Sequence, residues 1–167
     1  DLGLVLDTGE VPRIGDVHRF LGNLPRAIID HHPPGPDPIM GVSLRDPGAC
    51  ATGELVFDVL MEGGGPWPPE TVRGLYVAIL ADTGSFRFGN TSPAAHRVAA
   101  DLVEMGADPE DLYQRVYGNL PIRKLHLLRA ALGHLEVDAS GRIAWMTVPP
   151  EAYDELDARA DDIEGLR

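Results

Sequence analysis

A single cysteine, Cys50, is all the thiol that this sequence contains. One thiol excludes an internal disulfide and the thiolate sets of structural zinc. It fits a buried cysteine in a reducing compartment, and the cytoplasm is the expected location. Basic residues are scarce as well: 14 Lys and Arg stand against 26 Asp and Glu, a formal net charge of −12. Such a surface repels polyanions, which argues against a long groove that follows DNA by backbone charge. A small phosphate ligand is not excluded, because acidic side chains that hold metal ions turn a negative cleft into a local cation. No apolar run approaches the roughly 20 residues needed to cross a bilayer, so no membrane partner is expected. Repeats and low-complexity tracts are missing too. With 167 residues, the chain has room for about one domain and part of a second. It opens on Asp1 and enters an apolar run at Leu2, so a processed or partial chain is expected.

What is present begins with short apolar runs. Leu2-Gly3-Leu4-Val5-Leu6 is closed by Asp7-Thr8-Gly9, and Ala27-Ile28-Ile29 ends at Asp30-His31-His32 and is stopped by Pro33-Pro34-Gly35. Both have the pattern of buried strands, and residues 39–44 supply a third. Then the period changes. Thr52 is placed to cap a helix through Leu55, Val56, Val59 and Leu60, which Gly63-Gly64-Gly65-Pro66 breaks. That glycine run follows a helix rather than a strand, so it reads as a plain loop and not a phosphate cradle. Further helices are expected at about 69–82, 93–105, 109–117 and 121–133, with Pro93 and Pro109 in first turns. Residues 134–137 and 143–148 flank a turn-rich link and predict a hairpin. The acidic stretch Asp154 to Glu164 reads as a solvated helix face. The expected fold class is α/β with a mainly parallel sheet flanked by helices over residues 1–133, followed at 134–167 by the start of a second α/β domain.

Three positions break the apolar rule in one way. Asp7 closes the first strand and Asp30-His31-His32 closes the second; in open α/β sheets, ligands bind at the carboxyl ends of strands. Asp in a tight turn, or a capped pair of histidines, would also explain them. The third is Asp82. Val72, Leu75, Tyr76 and Ile79 mark the buried face of its helix, and Asp82 falls on that face at the helix end. A carboxylate there is costly unless it is paired or holds a metal. Carboxylates with one imidazole suit hard or borderline ions such as Mn²⁺.

Asp7 in Leu-Asp-Thr-Gly, Ile-Asp-His-His-Pro-Pro at 29–34 and Ala-Asp-Thr-Gly-Ser-Phe-Arg-Phe at 81–88 with Asn90-Thr91 resemble motifs two, three and four of the DHH-family phosphoesterases. The likeness runs from residue 2 to about 133. It is strongest to the branch that degrades very short oligoribonucleotides and dephosphorylates 3′-phosphoadenosine 5′-phosphate (pAp). The resemblance implies an enzyme with two Mn²⁺ ions and small nucleotides or short RNA as substrates, and it leaves room for a homodimer. It implies that Asp7, His31 and Asp82 are metal ligands, Asp7 bridging both ions. His32 would lie beside the scissile phosphate, with Asp30 orienting the histidines. Arg87, just past a metal ligand, is placed to clamp a terminal phosphate or to make a surface ion pair. The family's first motif, an Asp-x-Asp, does not occur in these residues, nor does the glycine-rich substrate motif of its second domain, so the resemblance implies that these residues alone are inactive and bind at most one Mn²⁺, weakly. Other readings are a cyclic di-AMP phosphodiesterase, a single-strand DNA exonuclease of RecJ type, which the charge disfavours, and a non-catalytic nucleotide-binding domain. His18, His96, His126 and His134 match nothing in the family pattern.

Overall fold

Three short apolar segments form the sheet. β1 (Gly3–Leu6), β2 (Arg26–Asp30) and β3 (Val42–Arg45) lie side by side in that order, and all are parallel. They belong to a computed structural model that describes residues 1–118 and 121–163. Parallel strands need crossover connections. The chain passes from β1 to β2 through two single-turn helices, α1 (Val11–Ile14) and α2 (His18–Leu21). Val5, Ile28 and Ile39 are buried on one face, with Val11, Ile14 and Leu21 packed against them. The register rows Leu4–Ala27–Val42 and Leu6–Ile29–Leu44 put the other apolar side chains on the opposite face, where Leu4, Leu6, Val42 and Leu44 are exposed.

The third strand starts later than its apolar run suggests. The Ile39 amide donates to the Gly9 carbonyl at 2.7 Å and Pro38 bridges Glu10, so residues 38–39 pair with the turn after β1 instead of with β2. The helices lie close to the expected ranges: α3 (Thr52–Gly63), α4 (Pro69–Asp82), α5 (Pro93–Glu104) and α6 (Pro109–Tyr113), the last continuing as a π turn through Gly118. Proline stands in the first turn of α4, α5 and α6, where the missing N–H costs nothing. Ser92 and Asp108 cap α5 and α6 with their side-chain oxygens. Phe57, Leu75, Tyr76, Ile79, Leu102 and Leu112 form the centre of the helical core.

The chain divides into two compact units, Asp1–Val116 and Tyr117–Arg167. In the second unit α7 (Ile122–Gly133) buries Leu127 and Ala131 and packs with α8 (Pro150–Glu155) and the 3-10 turn Ala160–Ile163. Its partners therefore follow it in sequence. A hairpin of β4 (Leu135–Val137) and β5 (Ala144–Met146) follows α7. The acidic run is only partly a solvated face: Asp162 is buried and accepts a hydrogen bond from Arg123 Nε at 2.9 Å. Glu164 lies outside the described residues. Among the described residues no helix is long and apolar enough to cross a membrane.

Candidate metal centre

Because the strands are parallel, their C-terminal ends share one edge of the sheet. Asp7 follows β1 directly, Asp30 is the last residue of β2, and His31 and His32 come next. Asp7 takes the left-handed conformation, with φ 64°. Asp tolerates that region better than most residues because its short polar side chain bonds locally. The turn ends the strand there, while the Asp7 amide still donates to the Ile29 carbonyl at 3.0 Å.

His31 Nε2 stands 3.7 Å from Asp7 Oδ1 and 3.6 Å from Asp82 Oδ2. These separations are longer than hydrogen bonds, so three donor atoms face one another without pairing. The other ring nitrogen is engaged: His31 Nδ1 meets the Ala49 carbonyl at 3.3 Å. A carbonyl only accepts, so the proton belongs on Nδ1 and the Nε2 lone pair is left toward the carboxylates. Ligand atoms of Asp7, His31 and His32 all lie within 4.8 Å of one another, close enough to surround one cation. Asp82 joins them through His31. Burial raises the Asp82 carboxyl above its ordinary range; His31 opposes that and the charge of Asp7 adds to it. Two carboxylates beside an imidazole are a donor set for a divalent cation of the hard or borderline kind. Cys50 does not compete as a ligand: burial, with Glu54 and Asp82 nearby, pushes its thiol up to about 12.

Asp30 is 1% exposed and does not join the cluster. Its Oδ1 accepts from the His32 amide at 3.1 Å and from His32 Nδ1 at 2.8 Å. Arg45 stands 3.4 Å from its Oδ2. Burial alone would raise the Asp30 carboxyl, but the bonds from His32 and the nearby charges prevail and it lies below its ordinary value. Arg87 is exposed and its Nε donates to the Gly84 carbonyl at 2.8 Å, so its place next to Asp82 in sequence gives it no direct tie to the cluster.

Two residues that hold the site escape a sequence reading. Thr52 does not cap α3 as expected, because Ala51 occupies the cap. Thr52 instead donates its hydroxyl to Asp7 Oδ1 at 2.7 Å across 45 positions. Asn90 Nδ2 reaches the carbonyls of Cys50 and Asp82, each at 3.0 Å, and so ties the segment before α3 to the end of α4. Asn90 sits within the quoted motif, which was its only signal; Thr52 carried none. Asp82 itself projects from the helix end with 40% of its side chain exposed, not from the buried face that carries Ile79.

A parallel sheet whose strand ends carry an aspartate and a doubled histidine, with a further aspartate at a helix end, is the arrangement of a DHH-type phosphoesterase domain. The bifunctional oligoribonuclease and PAP phosphatase NrnA of Thermus thermophilus is 34% identical over 166 residues, covering 98% of this chain and 48% of that relative. The protein of the same description from Bacillus subtilis is 29% identical over 119 residues, covering 70% of this chain and 37% of its own length. The chain spans less than half the length of these two curated relatives. A solved exopolyphosphatase-related protein from Bacteroides fragilis has the same fold, with a TM-score of 0.91 and 24% identity over 99% of this chain and 50% of its own. No protein-family model matches the chain. The chain is related to the DHH-family phosphoesterases and, among them, to the bifunctional oligoribonuclease and PAP phosphatases.

Proposed function

We propose that the protein is a divalent-metal-dependent phosphoesterase that hydrolyses pAp and very short oligoribonucleotides. The observation that carries this is the meeting of Asp7, His31 and Asp82, whose facing oxygen and nitrogen atoms do not hydrogen-bond to one another, with His32 beside them. In this reading Asp7, His31 and Asp82 hold metal, Mn²⁺ by their chemistry, with two ions in the complete enzyme. Bound metal would activate a water and polarise a phosphoryl oxygen. His32, held at Nδ1 by Asp30, presents its free nitrogen to the phosphate as a donor to the leaving oxygen or as a ligand for phosphate. Thr52 fixes the rotation of the Asp7 carboxylate, and Ala49 fixes the His31 ring. Arg87, fastened at Nε but exposed, clamps a terminal phosphate with its remaining N–H groups.

The same reading assigns residues 1–133 to the catalytic domain and 134–167 to the opening of a substrate-holding domain, in a cytoplasmic enzyme. With a charge of −12, the surface lacks the positive track on which long strands bind. Phosphate release from pAp should therefore appear with added Mn²⁺ and stop with EDTA, and rates on RNA should fall steeply beyond a few nucleotides. Equal rates on a dinucleotide and on a long single strand would overturn the substrate assignment. Absence of any Mn²⁺-dependent release by the full-length protein would overturn the activity.

A further inference from the structure

We propose that Arg45 is a positioning residue for His32, acting through the far oxygen of Asp30, with Gly9 and Glu10 shaping the slot that holds it. The inference rests on the metal-phosphoesterase reading for its kinetic consequence, but not for its geometry.

Asp30 and Arg45 are register partners on β2 and β3, so their side chains leave the same face of the sheet. The Asp30 carboxylate divides its work. Oδ1 takes both bonds from His32, and Oδ2 faces the Arg45 guanidinium at 3.4 Å. A carboxylate with 1% exposure needs a counter-charge. Apart from His32, the described residues supply one cation to it, Arg45. Holding Oδ2 fixes the rotation of the carboxyl group, and that rotation aims Oδ1 at the His32 ring. Without Arg45, Oδ2 would sit in a dry site without a charged partner, and the carboxyl group would be free to turn.

Arg45 is itself confined. Its side chain is 16% exposed, Nη1 lies 3.7 Å from Glu10 Oε1, and Nε is buried without a hydrogen-bond partner. Two carboxylates therefore define its position. Glu10 also accepts from the Gly35 amide at 2.9 Å and the Asp37 amide at 3.1 Å, fastening the segment that follows His32. Gly9 completes the slot: a Cβ there would collide with Arg45 Nη2. One guanidinium thus locks both sides of the His32 backbone, the aspartate before it and the turn after it.

The test uses Arg45→Met, which removes the charge at similar length, Arg45→Lys, which restores a charge, and Gly9→Ala, which displaces the guanidinium while keeping it. Long-range proton–nitrogen spectra of the ¹⁵N-histidine-labelled protein report the His32 tautomer without any assay of turnover. Arg45→Met and Gly9→Ala should lose the Nδ1–H signature of His32 while leaving that of His31, and Arg45→Lys should recover part of it. Turnover of pAp should fall by about tenfold to a hundredfold, the range for partners of site histidines. KM and Mn²⁺ affinity by calorimetric titration should stay within about threefold of wild type, the split expected of a group that acts on the chemical step. An unchanged His32 tautomer in Arg45→Met and Gly9→Ala would overturn the proposal. So would parallel loss of Mn²⁺ affinity, melting temperature and turnover with no rescue by lysine, which marks a merely structural pair. If the wild type releases no phosphate but the His32 signature still follows Arg45, the substrate reading fails and the positioning stands.

Discussion

Replacing Asp7 by Asn separates metal binding from folding, because the two respond with opposite signs. Asp7 Oδ1 and Asp82 Oδ2 each lie within 3.7 Å of His31 Nε2, at 3.7 and 3.6 Å. The two carboxylate oxygens are thus no more than about 7 Å apart and repel by about 2 kcal/mol at an effective dielectric of ~20. The Asp7 side chain is 61% exposed, so solvent screening reduces this to about 1 kcal/mol or less. The Asn amide oxygen still accepts from Thr52, and the metal-free protein should keep or slightly raise its melting temperature. With Mn²⁺ the order reverses. At a concentration about a hundredfold above its dissociation constant, a ligand specific to the folded state adds ~2.7 kcal/mol. For a chain of this size that raises the midpoint by roughly 5–10 °C. Asp7→Asn should show almost none of that rise at the same concentration, and its turnover of pAp should vanish. The measurement is thermal unfolding by fluorescence over a Mn²⁺ series, repeated with EDTA. A variant with the full wild-type rise would show that Asp7 does not hold the ion. A metal-free variant that unfolds several degrees early would show that Asp7 serves the fold.

Three further outcomes follow from single contacts. Thr52→Val removes the hydroxyl that donates to Asp7, so Mn²⁺ affinity should drop by about tenfold or more; calorimetry giving wild-type affinity would remove Thr52 from the site. Gly84 has φ +55°, and a Cβ there would strike the Phe88 ring, so Gly84→Ala should destabilise by about 1–3 kcal/mol, read by urea unfolding; no change would show that the turn relaxes freely. In the second unit, the Ser140 hydroxyl and the amides of Ile143, Ser140 and Arg142 hold the Asp138 carboxyl at about 2. Because this value lies below that of an unfolded Asp, about 3.9, the contribution of Asp138 to the hairpin is complete above that value and is lost as pH falls through about 2. A carbon-detected titration of Ser140→Ala should find the midpoint moved upward, and an unmoved midpoint would show that the amides alone hold the charge.

Much of the fold was legible because each strand announces itself as an apolar run with a polar stop. The helices were legible because Pro93 and Pro109 start two of them and Val72, Leu75, Tyr76 and Ile79 keep helical spacing. The same stops pointed to Asp7 and His31, which parallel pairing then brings to one edge. What stayed hidden depends on register and on distant packing. The Thr52 contact with Asp7 spans 45 positions, and nothing near either residue encodes it. The pairing of Arg45 with Asp30 requires the register of β3, yet the apolar run that suggested this strand starts at Ile39, where the chain pairs with residues 9–10 instead. The packing of α7 was hidden for a related reason: helical spacing shows which face of α7 is apolar, but not that its partners lie in α8 and the final turn.

The doubled histidine explains why the second strand must stop where it does. Consecutive residues of an extended strand point to opposite faces, so two histidines still within β2 could not both reach one cleft. β2 ends at Asp30, and beyond it the two rings lie 4.5 Å apart, edge to face. Having left the ladder, each ring is held by a contact of its own. His31 is held by the Ala49 carbonyl just before α3, and His32 by Asp30 behind it. These anchors lie on different segments and share no atom. The two rings therefore answer to separate contacts, which fits the proposal that adjacent residues take different tasks, one toward metal and one toward phosphate.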